Sequence, residues 1–406
     1  MNRSITITCA LIYCLILSAC NKYSMRADIK GAAYLRVFND IPFTLDLTTK
    51  TDVVPFFTML IDPVFSDKGV PAGGKVVGDY LGSRLRFNPS TAINEGNPLG
   101  APLDTSIRYN INYEYPGNAH VLAAPSINGL DLSAWAQVPS GKHRVLFVAR
   151  PQNDIGFSQL SDTIRNRVVI DTTINLKEGE VYTMEAVLQD VDAIKYGIYL
   201  RQETFTHQTF DLNKNYVTFF NLSGKNSFLS SNSVSPTSQY FYDTMNVFYT
   251  YYDPTLPGGA GPGIPGFQNA YLMTMEERMA TSAPYLPLPV LPLSNFYDKQ
   301  GVLRTYYEFG NTGETYGTMP YFLFNFIASG NNLPASSTGQ IYSLSCYWDP
   351  ITVNTLTPYQ LQNVGSINAN LNMLVQVDGK TAVFPAVYIM ELVFNRIYIM
   401  QVQQKI

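Results

Sequence analysis

Apolar and polar residues alternate along much of the chain, and the alternation predicts strands. The cleanest run is Val168 to Leu176, where Val168, Ile170, Ile174 and Leu176 share one face and Asp171, Thr173 and Asn175 the other. A period of two with one polar side marks a half-buried antiparallel strand. Lys177-Glu178-Gly179-Glu180 turns it into a second strand, Val181 to Leu188, and a third, Ile194 to Arg201, follows the acidic turn at Asp190 to Asp192. Ala33 to Phe38 opens the series, closed by Asn39 and Asp40 before Pro42, and Lys142 to Ala149 has the same pattern. Between Asp62 and Gly129 the Gly, Pro and Asn content predicts long loops.

A second unit begins at Asn215-Tyr216-Val217-Thr218-Phe219-Phe220-Asn221, which echoes Tyr34 to Asn39. Leu392, Tyr398 and Met400 likewise repeat the spacing of Leu176, Tyr182 and Met184. Internal echoes at both ends predict a tandem arrangement, with the boundary near Thr209 to Asn213. Within this unit Asp253 to Gly266 is a Pro/Gly loop, Asn269 to Thr281 is the one helix candidate, and Pro284 to Pro292 reads as extended and polyproline-like. Strands are expected at Leu303 to Phe309, Tyr321 to Ile327 and Ile341 to Trp348, with a last pair between Asn372 and Gln403. The expected fold is all-β, with two tandem antiparallel β-sandwiches over residues 31–209 and 210–406.

The N-terminus changes the picture from fold to address. Arg3, the apolar run Ile5 to Leu17 and the small residues before Cys20 have the layout of a secretory signal. The run is shorter than the roughly 18 residues that a spanning helix needs, so it is expected to be removed. Leu17-Ser18-Ala19-Cys20 resembles the lipobox of bacterial lipoproteins, which implies that Cys20 is acylated and becomes the first mature residue. Residues 1–19 are then signal peptide and residues 20–30 a lipid-anchored tether. Each buried acyl CH₂ contributes about 0.8 kcal/mol, so the membrane is the expected partner through this anchor. The outer membrane is the expected location, with the side it faces left open.

Composition narrows the function. Aromatic residues make up 13% of the 406 and charged residues only 14%, well under the usual quarter or so, which favours tyrosine-rich sheet over charged helix. A net charge of -4 leaves no basic patch, so nucleic acid is not expected as a partner. Cys9 and Cys14 leave with the signal and Cys20 carries lipid, so Cys346 stands alone and the fold must rest on packing rather than disulfides.

The histidines His120, His143 and His207 are scattered, and no nucleophile elbow, phosphate loop or dinucleotide fingerprint occurs. No catalytic residue, metal ligand or cofactor is therefore assigned. The candidate ligand-binding residues are Tyr240, Tyr242, Tyr249 and Tyr251 in the run from Tyr240 to Tyr252, together with Trp135. Flat aromatic faces stack on sugars and apolar groups, although strand propensity and core packing explain the same rings. Asp162-Thr163-Ile164, Asp171-Thr172-Thr173 and Asp243-Thr244-Met245 resemble the O-glycosylation acceptor motif of exported Bacteroidota proteins, which makes Thr163, Thr172 and Thr244 candidate modified residues.

The lipobox, the opening Ala33 to Asn39 and the hairpin from Asp171-Thr172-Thr173 to Gly179-Glu180-Val181-Tyr182-Thr183 together resemble Bacteroidota envelope lipoproteins built from immunoglobulin-like β-sandwich domains of unknown function. That resemblance implies an all-β secreted protein and supplies no catalytic residues. Phe394-Asn395-Arg396-Ile397-Tyr398 also resembles the closing strand of fimbrillin-type pilins. The expected function is non-enzymatic, a binding, adhesion or structural module whose partner is a glycan or another envelope protein. The alternatives are a fimbrillin-like pilus subunit, which would donate a strand between protomers, and a hydrolase with a site assembled from distant residues.

Overall fold

Nearly all of the regular structure in the computed structural model is strand, and the chain is all-β. Residues 29–41, 57–81, 120–121, 126–132, 135–151, 155–225, 244–253, 263–276, 278–304, 320–328, 341–346, 364–367, 373–377, 380–393 and 396–403 are described. In chain order the first strands are β1 Ala32–Asn39, β2 Phe57–Phe65, β3 Pro71–Leu81, β4 His120–Val121, β5 Ser126–Ile127, β6 Leu130–Asp131, β7 Ala136–Pro139, β8 Gly141–Ala149, β9 Val168–Leu176, β10 Val181–Asp190 and β11 Lys195–Gln202. There follow β12 Lys214–Asn221, β13 Met245–Tyr252, β14 Ala270–Met275, β15 Leu286–Pro289, β16 Tyr321–Ala328, β17 Ile341–Cys346, β18 Val364–Ile367, β19 Met373–Val377, β20 Lys380–Phe384, β21 Ala386–Val393 and β22 Arg396–Gln403.

The strands up to β11 form two main sheets, β11-β10-β1-β7-β4 and β3-β2-β8-β9, and those from β12 form β15-β12-β21-β22 and β14-β13-β16-β17-β18. The second set repeats the first. β1 runs parallel to β10 with Tyr34 opposite Val181 and Asn39 opposite Ala186, and β12 runs parallel to β21 with Tyr216 opposite Val387 and Asn221 opposite Leu392. On the other side β7 sets Pro139 against Ala32, as β15 sets Pro289 against Lys214. The hairpin partners agree as well, Tyr199 facing Glu185 and Tyr398 facing Glu391. Even the strand exits match, because Asn39 Oδ1 accepts from Ile41 N at 3.2 Å and Asn221 Oδ1 from Ser223 N at 3.1 Å.

These registers support the echo between Tyr34 to Asn39 and Tyr216 to Asn221 and correct the one at the other end. Val181-Tyr182-Thr183-Met184-Glu185 corresponds to Val387-Tyr388-Ile389-Met390-Glu391, identical except at the centre. The expected match of Tyr182 and Met184 with Tyr398 and Met400 was one strand too late, since Tyr398 is the counterpart of Tyr199.

Alternation then builds the three larger cores among the described residues, beside a smaller one of Leu60, Leu146, Val148, Phe157 and Leu160. Leu35, Val37, Tyr182 and Met184 face Met59, Ile61, Phe147 and Ile170 between the first two sheets. Val217, Phe219, Tyr388 and Met390 face Val247, Tyr251, Phe322 and Phe324 between the other two. The opposite sides of the same inner strands meet each other, Tyr34, Phe38, Val181, Val187 and Tyr199 packing with Tyr216, Phe220, Val387, Val393 and Tyr398. The inner sheets are thus covered on both faces, which is why β10 and β21 lack the polar side that β9 shows.

Two expectations are overturned and a third is sharpened. Part of the stretch from Asp62 to Gly129, predicted to be loops, is the long strand β3; its Gly74 lets strands approach closely, because a Cβ there would lie 2.9 Å from Ile61 O. Asn269 to Thr281 contains strand β14 instead of a helix, since cross-strand pairing with β13 outweighs the helix propensity of Met275 and Glu276. Pro284 to Pro292 is extended as expected, but Leu286–Pro289 also pairs with β12 at a sheet edge, where the missing proline N–H groups leave no ladder bond unmade. Of the strand predicted from Leu303 to Phe309, Leu303 forms an isolated bridge to Tyr297, and residues 305–309 lie outside the described residues.

Candidate functional site

The residues proposed from sequence scatter across the fold. Cys20, Tyr240 and Tyr242 lie outside the described residues. Tyr249 and Tyr251 are 8% and 0% exposed, because the alternation that sends Met245 and Val247 inward carries them into the same core. Tyr251 stacks on Phe322 at 4.1 Å between ring centroids. Trp135, the other candidate ring, is 1% exposed, sits edge-on to Phe205 at 5.7 Å and lies under the Arg36 guanidinium at 5.4 Å. These three are core rings with no face open to a ligand. Thr163 is exposed on the single helical turn α1, Asp162–Arg165, whereas Thr172 and Thr244 are half-buried.

The other face of β13 carries the surface chemistry. Asn246, Phe248, Thr250 and Tyr252 lie opposite the core residues, beside edge strand β14. Tyr271 on β14 is 57% exposed, with its ring edge-on to the buried Phe248 at 5.5 Å. Its hydroxyl is 2.7 Å from Thr274 Oγ1, which in turn donates to Asn246 Oδ1 at 2.7 Å. Thr274 spends its one proton on Asn246, so Tyr271 donates to Thr274 and keeps its own oxygen lone pairs for an incoming donor. Next to this relay Thr250 Oγ1 accepts from Asn269 N at 3.0 Å and donates to Asn269 Oδ1 at 3.2 Å, holding Asn269 in the left-handed region at φ 47°. The Tyr252 and Tyr321 rings lie 4.8 Å apart on the same face. The patch is neutral, aromatic and rich in fixed hydrogen-bonding groups.

A second constellation lies in the third core. Arg201, 1% exposed, donates through Nε and Nη2 to Glu203 Oε1 at 3.1 and 2.8 Å, and through Nη2 to Glu391 Oε1 at 2.5 Å. Glu185 Oε1 is 3.8 Å from Nη1, and Thr183 donates to Glu203 Oε1 at 2.6 Å. All three carboxylates are fully buried. Burial alone would lower the guanidinium's pKa, but Glu203, Glu391 and Glu185 together hold it well above the ordinary value. The Tyr199 phenol, which donates to Ala280 O at 2.5 Å, is pushed up chiefly by burial. Sequence separation hides the pairing in this cluster, because Glu391 lies 190 residues from Arg201.

His143 and His207 serve packing and pairing. His143 is buried with Nδ1 3.0 Å from Asp62 Oδ2 and Nε2 2.9 Å from Pro139 O, and His207 Nε2 lies 2.6 Å from Glu180 Oε2. Among the described residues no group of three His, Cys, Asp or Glu side chains is placed to hold a metal ion, and no helix is long and apolar enough to cross a membrane. No protein-family model matches the chain, and no curated protein is similar to it.

Proposed function

We propose that the chain is an outer-membrane lipoprotein, held by an acylated Cys20, whose two immunoglobulin-like sandwiches act by binding. Residues 31–209 and 210–406 are the two units, a division favoured by the repeated strand order and registers. The ligand class is glycan, and the observation that carries this is the Tyr271 patch. An exposed ring backed by Phe248 offers a stacking face, while the Tyr271, Thr274 and Asn246 relay presents an oriented acceptor beside it. Sugars need that combination, an apolar face and fixed polar groups at its rim.

The test is a glycan array on the mature chain and on Tyr271→Ala. A bound glycan should lose about tenfold or more in affinity in the variant, equivalent to about 1.4 kcal/mol of stacking and hydrogen bonding. Melting should not change. No glycan retained by the natural chain, or equal retention by the variant, removes the proposal. Thr163, the exposed member of the three candidate threonines, is the one expected to carry sugar, which mass spectrometry of the native protein reads directly.

A further inference from the structure

The two faces that meet in the third core are the same face of the repeated unit. Tyr34, Phe38, Val181, Val187 and Tyr199 occupy, register for register, the places of Tyr216, Phe220, Val387, Val393 and Tyr398. A patch that meets its own counterpart is the kind of interface a two-fold dimer makes. Glu185 and Glu391 are counterparts too, both with no exposed surface. The cations break the equivalence. Arg36 lies opposite Thr183 where Thr218 lies opposite Ile389, and Arg201 lies opposite Thr183 where Met400 lies opposite Ile389. The second half therefore buries Glu391 on this face with a threonine and a methionine at the two places where the first half has arginines.

We propose that Arg201 is a latch that decides which faces pair. The Glu391 face of the second half fits a face that presents a buried guanidinium, which is the first half of the same chain, and rejects a copy of itself. Two second halves meeting through this face would bury a pair of glutamates with Thr218 and Met400 at the arginine positions, and buried carboxylates lacking a cation are strongly disfavoured. The first-to-second pairing meets Glu391 with Arg201 at 2.5 Å. Nonpolar packing alone, being equivalent on both faces, would not choose between these pairings. Of the two asymmetric arginines, Arg201 is the one that meets Glu391, so it makes the choice and holds the two halves as one body.

The test uses the full mature chain with Arg201→Met, which copies the second half's residue at the counterpart position, with Glu391→Gln, and with both. Calorimetry reads the number and temperature of transitions, and limited proteolysis reads cleavage between Glu203 and Asn213, the link between the halves. Arg201→Met should lower the melting temperature and separate the halves into two transitions. Cleavage of the link should become about tenfold faster or more, since cutting of an opened form follows its population. The decisive result is rescue: the double variant should melt above Arg201→Met, because the glutamine removes one of the three buried carboxylates that lose the guanidinium, the one contributed by the second half. A side chain that merely fills space would give no such rescue. Arg201→Met melting like the natural chain, or a double variant no more stable than Arg201→Met, overturns the latch. If Arg201→Met yields no folded protein, the double variant decides: folded double variant supports the latch, and its failure overturns it.

Discussion

Replacing Tyr251 with alanine separates a core ring from a ligand platform. Tyr251 has no exposed surface, stacks on Phe322 at 4.1 Å and lies in the core shared with Phe324 and Tyr388. Removing a buried aromatic ring loses its transfer free energy and leaves a cavity, together about 3–5 kcal/mol. The stacked pair contributes part of that, about 0.5–1.5 kcal/mol beyond area burial. For a folding unit of about 200 residues each kcal/mol moves the midpoint by about 2–4 °C, so Tyr251→Ala should melt about 6–20 °C lower. Urea unfolding should shift its midpoint with an unchanged slope, the sign that stability rather than exposed area has altered. Tyr271→Ala is the control: that ring is 57% exposed, and substitutions at such surfaces usually stay within about 0.5 kcal/mol. A Tyr251→Ala protein that keeps its stability, or that loses glycan binding while melting normally, would refute the assignment of this ring to the core.

Gly224→Ala should destabilise by about 1–3 kcal/mol, since a Cβ there would sit 2.0 Å from Leu188 O where Lys225 N bonds Gln189 O; a melting curve unchanged by the substitution would contradict that close approach. Burial raises the Asp62 carboxyl's pKa, but hydrogen bonds from His143 and Lys75 prevail and hold it below its ordinary value. A depressed native pKa gives stability that is full above the unfolded value and lost as pH falls through the native one. Melting followed from pH 5 to about pH 2 should therefore fall less steeply in Asp62→Asn than in the natural chain. Cys20→Ala should abolish incorporation of labelled palmitate and move the protein from the membrane to the soluble fraction, and continued labelling would remove the anchor from the proposal.

The strands were legible wherever one face meets water or a turn is sharp. β9 follows its alternation from Ile170 to Leu176, but a bulge at its first residues turns Val168 outward and packs Val169 on the core instead, and Tyr321 to Ile327 and Ile341 to Trp348 find β16 and β17. Gly73 and Gly74 misled because glycine marks both loops and close strand approach, and the local sequence does not say which. Asn269 to Thr281 misled because Met, Glu and Arg favour a helix, whereas β14 is fixed by the neighbour it pairs with. The surface patch was missed by one residue of phase. Tyr249 and Tyr251 stood out by type, yet the period of two sends them inward and turns Asn246, Phe248, Thr250 and Tyr252 to the other face.

The same limit explains why Arg201 drew no notice. In Lys195 to Gln202 the alternation reads as one core side and one solvent side, and an arginine on the second side looks ordinary. Alternation tells which residues share a face; it does not tell whether that face meets water or another sheet. A hint was nevertheless present in the neighbouring strand. Glu185 sits in Val181 to Leu188 among residues apolar enough to be buried on both sides, and its counterpart Glu391 sits in an even more apolar run. A carboxylate inside a strand that reads as covered on both faces keeps its charge only beside a cation, because an unpaired buried charge is strongly disfavoured. Finding Val-Tyr-x-Met-Glu twice in one chain therefore points to a buried cation for each glutamate or one cation between them, and Arg201, 3.8 Å from Glu185 and 2.5 Å from Glu391, lies between them.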